Sequence, residues 1–327
     1  MLLEVKNLTT EFKLKRGIVK AVDDISFSID KGEILAIVGE SGSGKSVTSL
    51  SIMGLLQNPG RVSSGEILFK SQDLTKLNKK ELQKIRGNQI SMIFQEPMTS
   101  LNPVARIKDQ IMESIMTHMQ VSKQEALQRA IEMLNIVGIP SAAQRANDYP
   151  HQMSGGMRQR VMTAMALSCD PELLIADEPT TALDVTIQAQ ILELLYRMRE
   201  KFNMAVLLIT HDLGVVSEAA DRVIVMYCGK IMEEADVRTL FANPLHPYTV
   251  GLLQSIPQID DDSDKRLYMI KGMVPNPLNM PPGCPFSDRC DHCMERCTKE
   301  MPEITDLAGH KVRCFRYENA TEGGQAK

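Results

Sequence analysis

Residues 39–46 are Gly-Glu-Ser-Gly-Ser-Gly-Lys-Ser and fit the G-x-x-x-x-G-K-[ST] pattern of a phosphate-binding loop. An apolar, strand-like run at 33–38 precedes them and a helix-like run at 46–56 follows, which is the context that this pattern requires. Glycines let backbone N–H groups approach phosphate oxygens, and the helix N-terminus adds positive charge. We expect Lys45 to reach the β- and γ-phosphates and the Ser46 hydroxyl to bind Mg²⁺. The stretch therefore predicts a nucleoside triphosphate site.

Two acidic residues follow the apolar run at 173–176. Asp177, at the end of a buried strand, is placed to bind the same Mg²⁺, and Glu178 before a turn is placed to polarise the attacking water. His211 follows the apolar run at 204–210, where strand ends of open α/β sheets meet ligands, and can hydrogen-bond a γ-phosphate. These residues predict hydrolysis. The alternatives are that Glu178 only supports a neighbouring residue without touching the water, and that His211 has a purely structural role.

Ser154-Gly155-Gly156 stands at the start of a helix-like stretch and forms a second anion-binding helix N-terminus. Two phosphate-binding surfaces exceed what one nucleotide needs. A GTPase would carry Asn-Lys-x-Asp, whereas the nearest candidate, residues 78–81, ends in Glu. The sequence therefore argues against a GTPase.

The elements that must position these residues follow from the apolar patterns. Runs rich in Val, Ile and Phe before residue 38 predict strands, and three- and four-residue apolar steps at 105–137 predict a helical insert. Two nearly continuous apolar runs with an amphipathic helix between them then predict a βαβ unit with parallel strands. We predict an α/β protein with an ATPase domain at 1–257 (helical subdomain about 96–160), a linker at 258–282, a cysteine-rich domain at 283–318 and a disordered tail at 319–327.

The composition restricts the class of protein. The chain of 327 residues is 43% hydrophobic and 24% charged, with a formal net charge of −4, which argues against nucleic acid as a partner. No run approaches the eighteen apolar residues of a membrane helix, and Glu4 interrupts the place where a signal peptide would be apolar. We expect a protein that is made in the cytosol and stays there.

Five of the seven cysteines lie between residues 284 and 314. In a reducing compartment a metal is favoured over disulfides, and cysteine ligands suit Zn²⁺ or an iron–sulfur cluster. Cysteine pairs with zinc-knuckle spacing at 290–293 and 293–297, with His292 nearby, leave a zinc site as an alternative. Free or disulfide-bonded thiols are a third alternative. Because this short segment has few apolar side chains, we expect metal ligation to supply its folding free energy.

Several motifs together resemble the ATP-binding cassette (ABC) family in its signature order. They are Ser154-Gly-Gly followed by Arg-Gln-Arg, ADEPTTALD at 176–184 and ITHD at 209–212, and the resemblance runs from residue 2 to about residue 257. It implies a RecA-like core, an N-terminal antiparallel β subdomain and a helical subdomain, with ATP and Mg²⁺ as cofactors. In that family two cassettes face each other head to tail, so that the Ser-Gly-Gly of one caps the γ-phosphate bound by the other.

The resemblance also implies a role for individual residues. Phe12 would stack on adenine, unless it is a core aromatic of an edge strand; Gln95 would sense Mg²⁺ and contact the transporter; Asp184 would contact the opposite site. With Glu178 and His211, Gln95 completes the implied catalytic set, and Met153 and Met157 depart from the usual Leu and Gln of the signature. The implied ATP and Mg²⁺ positions are Phe12, Gly39, Ser41, Gly42, Ser43, Gly44, Lys45, Ser46, Val47, Gln95 and Asp177.

Three further stretches, at 96–103, 153–162 and 246–257, resemble the ATP-binding subunits of peptide importers, specifically their D-type subunits. The resemblance implies a site on the cytoplasmic face of the membrane. The implied partners are an F-type cassette or a second copy, two transmembrane permease subunits and, indirectly, an extracytoplasmic peptide-binding protein. A nickel or other small-solute importer is the alternative, and a soluble ABC ATPase without a transport role is less favoured.

The tails of such permeases use C-x₅-C-x₆-C with one distal cysteine. Carried over to this chain, the pattern selects Cys284, Cys290, Cys297 and Cys314 as ligands of a [4Fe–4S] cluster, with Cys293 as a spare thiol and zinc as the alternative metal.

Overall fold

The computed structural model of the chain describes residues 1–95, 100–180, 185–256 and 268–319. The chain forms two compact units. The first unit comprises residues 1–3, 29–33 and 69–209, and the second comprises residues 4–28, 34–68 and 210–327.

The elements of the described residues are numbered here in chain order. The strands are β1 (Leu3–Leu14), β2 (Gly17–Ile29), β3 (Ile34–Val38), β4 (Gly60–Phe69), β5 (Gln72–Asp73), β6 (Ile90–Ile93), β7 (Leu173–Asp177), β8 (Ala205–Ile209), β9 (Arg222–Tyr227), β10 (Lys230–Asp236), β11 (Thr305–Leu307) and β12 (His310–Val312). The helices are α1 (Lys45–Ile52), α2 (Lys79–Ile85), α3 (Ile107–His118), α4 (Lys123–Ile136), α5 (Ala142–Arg145), α6 (Gly155–Leu167), α7 (Val185–Phe202), α8 (Leu213–Ala219), α9 (Val237–Ala242), α10 (Pro247–Gln254) and α11 (Glu295–Lys299).

The first unit combines a parallel sheet with a group of helices. Strands β6, β7 and β8 run parallel, and all residues of β7 and β8 are buried, as expected for strands that are covered on both faces. The helices α3, α4 and α6 pack against one another. A reciprocal cap begins α4, because the Ser122 hydroxyl accepts from the Glu125 N–H while the Glu125 carboxylate accepts from the Ser122 N–H. The predicted βαβ unit and helical insert are both present.

In the second unit, the strands are ordered β11-β12-β10-β9-β3. Strand β3, which leads into the phosphate-binding motif, pairs parallel with β9, and β10 continues the sheet antiparallel. Strand β12 then pairs antiparallel with β10, with Glu233 opposite Val312. The cysteine-rich region thus adds two strands to the sheet that carries the phosphate-binding loop, a pairing that the sequence did not predict.

The strands of the front of the chain are β2, β1 and β4, in that order. Only residues 15 and 16 separate β1 from β2, so these two strands form an antiparallel hairpin. Two of the runs rich in Val, Ile and Phe, at residues 17–22 and 24–29, form one strand, β2, of 13 residues. Together with the parallel strands and helices of the first unit, this confirms the α/β class with an antiparallel part and a helical part. None of the helices among the described residues is both long enough and apolar enough to span a bilayer.

Candidate nucleotide-binding site

The loop between β3 and α1 has a backbone that only glycine tolerates at two positions. Gly39 and Gly44 have φ angles of 150° and 102°. A Cβ atom on Gly39 would lie 2.1 Å from the carbonyl oxygen of Met226, and one on Gly44 would lie 2.4 Å from that of Ala21. Gly42, with φ of 79°, faces open space. The loop is thus packed tightly on its inner side and open on its outer side, as a phosphate-binding loop requires.

Lys45 lies at the start of α1 with its side chain folded along the loop. Its Nζ donates to the carbonyl oxygens of Gly39 at 2.6 Å and Glu40 at 3.1 Å, and Lys45 is 6% exposed. Ser43 is also buried, with its hydroxyl 3.4 Å from the same ammonium group. Ser41 is exposed, whereas Ser46 and Val47, in the first turn of α1, are half-buried. The ammonium group therefore lies at the loop where the motif predicts phosphate.

Glu40, the second residue of the loop, is held by residues that lie more than two hundred positions later. Its N–H donates to the Tyr248 hydroxyl at 2.8 Å, and its carboxylate accepts from Arg289 at 2.7 and 3.1 Å. The rings of Tyr227, Tyr248 and Phe286 pack together behind this contact, with centroids 4.6 to 5.4 Å apart. Burial raises the pKa of Tyr227 to about 12, so its hydroxyl keeps its proton. Sequence reasoning missed this cluster.

The acidic residues after β7 lie in the first unit, and the structure brings one of them to Gln95. Asp177 is 4% exposed at the end of its strand, opposite Ile209 of β8. Glu178 is half-buried with a φ of 46°, a strained backbone region for a residue with a side chain. Its carboxylate accepts from Gln95 Nε2 at 2.8 Å, because Gln95 follows the adjacent parallel strand β6. The ends of β6 and β7 thus bring Glu178, the predicted base, within hydrogen-bond distance of Gln95, the predicted Mg²⁺ sensor.

The Ser-Gly-Gly stretch begins helix α6, as the sequence predicts. Ser154 is the N-cap, and its hydroxyl accepts from the Met157 N–H at 3.3 Å. Ser154 and Gly155 are exposed, and a Cβ on Gly155 would meet no atom within 4 Å. Deeper in the helix, Gln159 donates to the carbonyl oxygen of Pro179 at 2.6 Å, which ties α6 to the segment that follows Glu178. The helix N-terminus is therefore open at Gly155, whereas at Gly156 a Cβ would lie 3.1 Å from the Ile187 side chain.

The remaining predicted residues have the following places. Phe12 is half-buried near the end of β1, and its ring leaves no room for a Cβ on Gly60. His211 is exposed, two residues beyond β8. Met153, one of the departures from the signature, is 3% exposed and belongs to the core. Asp184 lies outside the described residues. The roles of all these residues remain predictions.

The cysteines of the C-terminal region differ in burial. Cys284 and Cys297 are buried, Cys293 is exposed, and the Cys284 N–H donates to the Cys297 carbonyl oxygen at 2.8 Å. Burial raises the pKa of Cys284 to about 12 and that of Cys290 to about 11. Repulsion from neighbouring thiolates adds to both shifts, and it comes from residues 290, 297 and 314 for Cys284 and from residues 293, 297 and 314 for Cys290. Within residues 1–95, 100–180, 185–256 and 268–319, no group of three or more His, Cys, Asp or Glu side chains could hold a metal ion. The predicted metal-binding tail is therefore not supported by this arrangement.

Comparison with known proteins places these features in a family. Residues 22–181 match the family model described as ABC transporter, and residues 232–297 match that of the oligopeptide/dipeptide transporter, C-terminal region. Among solved structures, the dimeric cassette MJ0796 is 31% identical with a TM-score of 0.66, covering 72% of this chain and 99% of that one. The same cassette is also known in a post-hydrolysis state with ADP and Pi, at the same similarity.

Curated relatives are similar over almost the whole chain. The oligopeptide transport ATP-binding protein AppD of Bacillus subtilis is 60% identical, covering 97% of both chains. The dipeptide transport ATP-binding protein DppD of Escherichia coli is 51% identical, covering 96% of both. The oligopeptide transport ATP-binding protein OppD of Salmonella typhimurium is 50% identical, covering 97% of this chain and 94% of that one. With its phosphate-binding loop and its Ser-Gly-Gly helix, the chain belongs to the ABC transporter family of ATP-binding cassettes.

Proposed function

We propose that this chain is the ATP-hydrolysing subunit of an importer for dipeptides and oligopeptides. The observation that carries ATP binding is the loop at 39–46, where glycines at positive φ and the buried ammonium group of Lys45 lie together at the start of α1, an arrangement suited to bind phosphate. The peptide cargo is supported by the names of relatives that are 50 to 60% identical over nearly their entire lengths.

Glu178 is the proposed general base for hydrolysis. Its hydrogen bond from Gln95 fixes the orientation of the carboxylate beside the proposed phosphate site, and a base in that position would take a proton from the attacking water. Asp177 and Ser46 are the proposed Mg²⁺ ligands, and that ion would neutralise charge on the phosphates. His211 is the proposed donor to the γ-phosphate.

A second cassette completes the proposed site. Ser154 and Gly155 are exposed at a helix N-terminus, which is suited to the γ-phosphate of an ATP molecule bound by another cassette. The related cassette solved as a dimer supports this arrangement. The proposed partners are an F-type cassette, two transmembrane permease subunits on whose cytoplasmic side the chain lies, and an external peptide-binding protein.

We also propose a [4Fe–4S] cluster on Cys284, Cys290, Cys297 and Cys314. The donor chemistry supports it, since thiols are soft ligands and Cys284 and Cys290 both lie within electrostatic reach of Cys297 and Cys314. The fifth thiol of the region, Cys293, also lies close to Cys290 and Cys297. When bound, such a cluster would crosslink this segment. Iron and sulfide in anaerobically purified protein, with an absorbance shoulder near 400 nm, would support the cluster; stoichiometric zinc in colourless protein would exclude it.

The Glu178→Gln variant tests the hydrolytic role. We expect it to bind ATP with unchanged affinity, to lose at least about a hundredfold in turnover, the usual contribution of a general base, and to persist as an ATP-bound dimer with its partner cassette. Normal hydrolysis by this variant would remove the assignment. Uptake of labelled dipeptide and of nickel by vesicles containing the whole transporter distinguishes the two cargoes, because only the former should depend on ATP.

A further inference from the structure

The phosphate-binding loop contains a carboxylate, and its charge has the wrong sign for the ligand. Glu40 directly follows Gly39, and its own carbonyl oxygen accepts from the Lys45 ammonium group at 3.1 Å. A negative side chain at such a loop repels a triphosphate by simple electrostatics. The loop therefore needs a cation to cancel this charge.

Arg289 supplies that cation from a position 249 residues further along the chain. Two of its nitrogens donate to the two carboxylate oxygens of Glu40, at 2.7 and 3.1 Å, which is the bidentate geometry that gives the strongest carboxylate pairs. Its side chain is only 5% exposed, against 28% for that of Glu40. Water therefore screens this pair far less than an ion pair on the surface.

The guanidinium group is itself fixed in position from three sides. Its Nε donates to the Lys271 carbonyl oxygen at 3.0 Å, and one terminal nitrogen also donates to the Tyr227 hydroxyl at 3.1 Å. It lies 5.8 Å from the ring centroids of both Tyr227 and Phe286. Because these contacts restrain Arg289 independently of Glu40, the arginine determines where the Glu40 carboxylate lies.

We propose that Arg289, in the cysteine-rich region, is a positioning residue for ATP binding, which neutralises and anchors Glu40 in the phosphate-binding loop. It acts through Glu40 and needs no contact with the nucleotide. This inference rests on the proposed binding of ATP at residues 39–46, and it is independent of the transported cargo.

The test compares ATP affinities of variants of the 327-residue chain, measured with a fluorescent ATP analogue at low and high salt. For Arg289→Ala we expect the dissociation constant to rise about tenfold, as for two charges a few ångström apart in a partly screened site. For Glu40→Gln we expect it to fall by about threefold or more, with a steeper salt dependence, because Arg289 is then an uncompensated cation beside the loop. The double variant should return close to the original affinity.

The dissociation constants of the two single variants should change in opposite directions, which distinguishes this role from a merely structural one. If the ion pair only held the fold together, both single variants would weaken ATP binding and the double variant would not recover, and either result overturns the proposal. Arg296→Ala is the matched control, since Arg296 lies in the same region but pairs with the exposed carboxylates of Glu300 and Glu318. Should Arg289→Ala fail to fold, the sign of the change in Glu40→Gln decides alone. Lys45→Ala checks the site itself, since unchanged ATP binding there would refute the proposed function rather than this inference.

Discussion

His246 should make the protein sensitive to mild acid. It is 1% exposed, and its Nδ1 accepts from the Tyr248 N–H at 3.0 Å, capping helix α10. Its ring meets Phe286 edge-on, and the backbone N–H of His246 donates to the buried carboxylate of Glu233 at 2.9 Å. Burial lowers the pKa of His246 to about 4, although the Glu233 charge acts in the opposite direction. In the folded protein this imidazole is therefore neutral at every pH above about 5.

The size of the effect follows from the two pKa values. An unfolded chain protonates its histidine near pH 6.5, whereas the folded chain resists protonation down to about pH 4. Above pH 6.5 neither state is protonated, so this histidine contributes no pH dependence there. As the pH falls below 6.5, the unfolded state alone gains protons and the free energy of unfolding decreases, by about 2 kcal/mol at pH 5 and about 3 kcal/mol at pH 4.

Urea unfolding at pH 7.5 and pH 5, followed by tyrosine fluorescence, measures this loss. In His246→Asn the amide can still cap α10 but cannot titrate, so we expect this variant to lose about 2 kcal/mol less than the original chain over the same interval. His151→Asn replaces an exposed histidine and is expected to follow the original chain. Equal losses in the original chain and in His246→Asn would refute the reasoning.

Four further substitutions have defined outcomes. Gly155→Ala should change the free energy of unfolding by less than about 1 kcal/mol, since its Cβ meets open space, yet lower ATPase activity measured with the partner cassette. Gly39→Ala should lower the free energy of unfolding in urea by more than about 2 kcal/mol and abolish ATP binding, because its Cβ would overlap the Met226 carbonyl oxygen. Gly42→Ala should lower it by only about 1 kcal/mol, the cost of a positive φ angle for a residue with a Cβ. Phe286→Ala should cost about 3 to 5 kcal/mol and expose the C-terminal region to limited proteolysis; an unchanged digestion pattern would show that the aromatic cluster does not hold this region.

The phosphate-binding loop could be predicted because all its determinants are local. The glycines, Lys45 and the flanking strand and helix lie within about twenty residues of one another, so spacing alone identifies them. The pairing of Gln95 with Glu178 is nearly as easy to predict from the sequence, because the two residues follow adjacent parallel strands.

The partners of Glu40 could not be predicted in this way. Tyr248 and Arg289 are separated from it by 208 and 249 positions, and nothing in either residue's local pattern points to the loop. Strands β11 and β12 were missed because three residues each are too few to show an alternation of apolar and polar side chains. Val312 and Tyr317 of this segment are buried together with Leu245, so apolar packing also contributes to holding it, and the expectation that metal ligation supplies its folding free energy stays a prediction.

The same contacts explain how a C-terminal segment can belong to a nucleotide site. The buried carboxylate of Glu233 accepts from the His310 ring on β12 at 2.7 Å and from the His246 N–H at 2.9 Å; His246 in turn caps the helix whose Tyr248 hydroxyl accepts from the Glu40 N–H. Each link is buried or partly buried and each is a hydrogen bond of ordinary length, so a shift of β12 cannot occur without altering at least one of them. Coupling between two sites is reciprocal in free energy. Any coupling that these contacts carry between β12 and the loop therefore acts equally in both directions: docking of β12 would favour ATP binding by the same free energy by which ATP binding would stabilise β12.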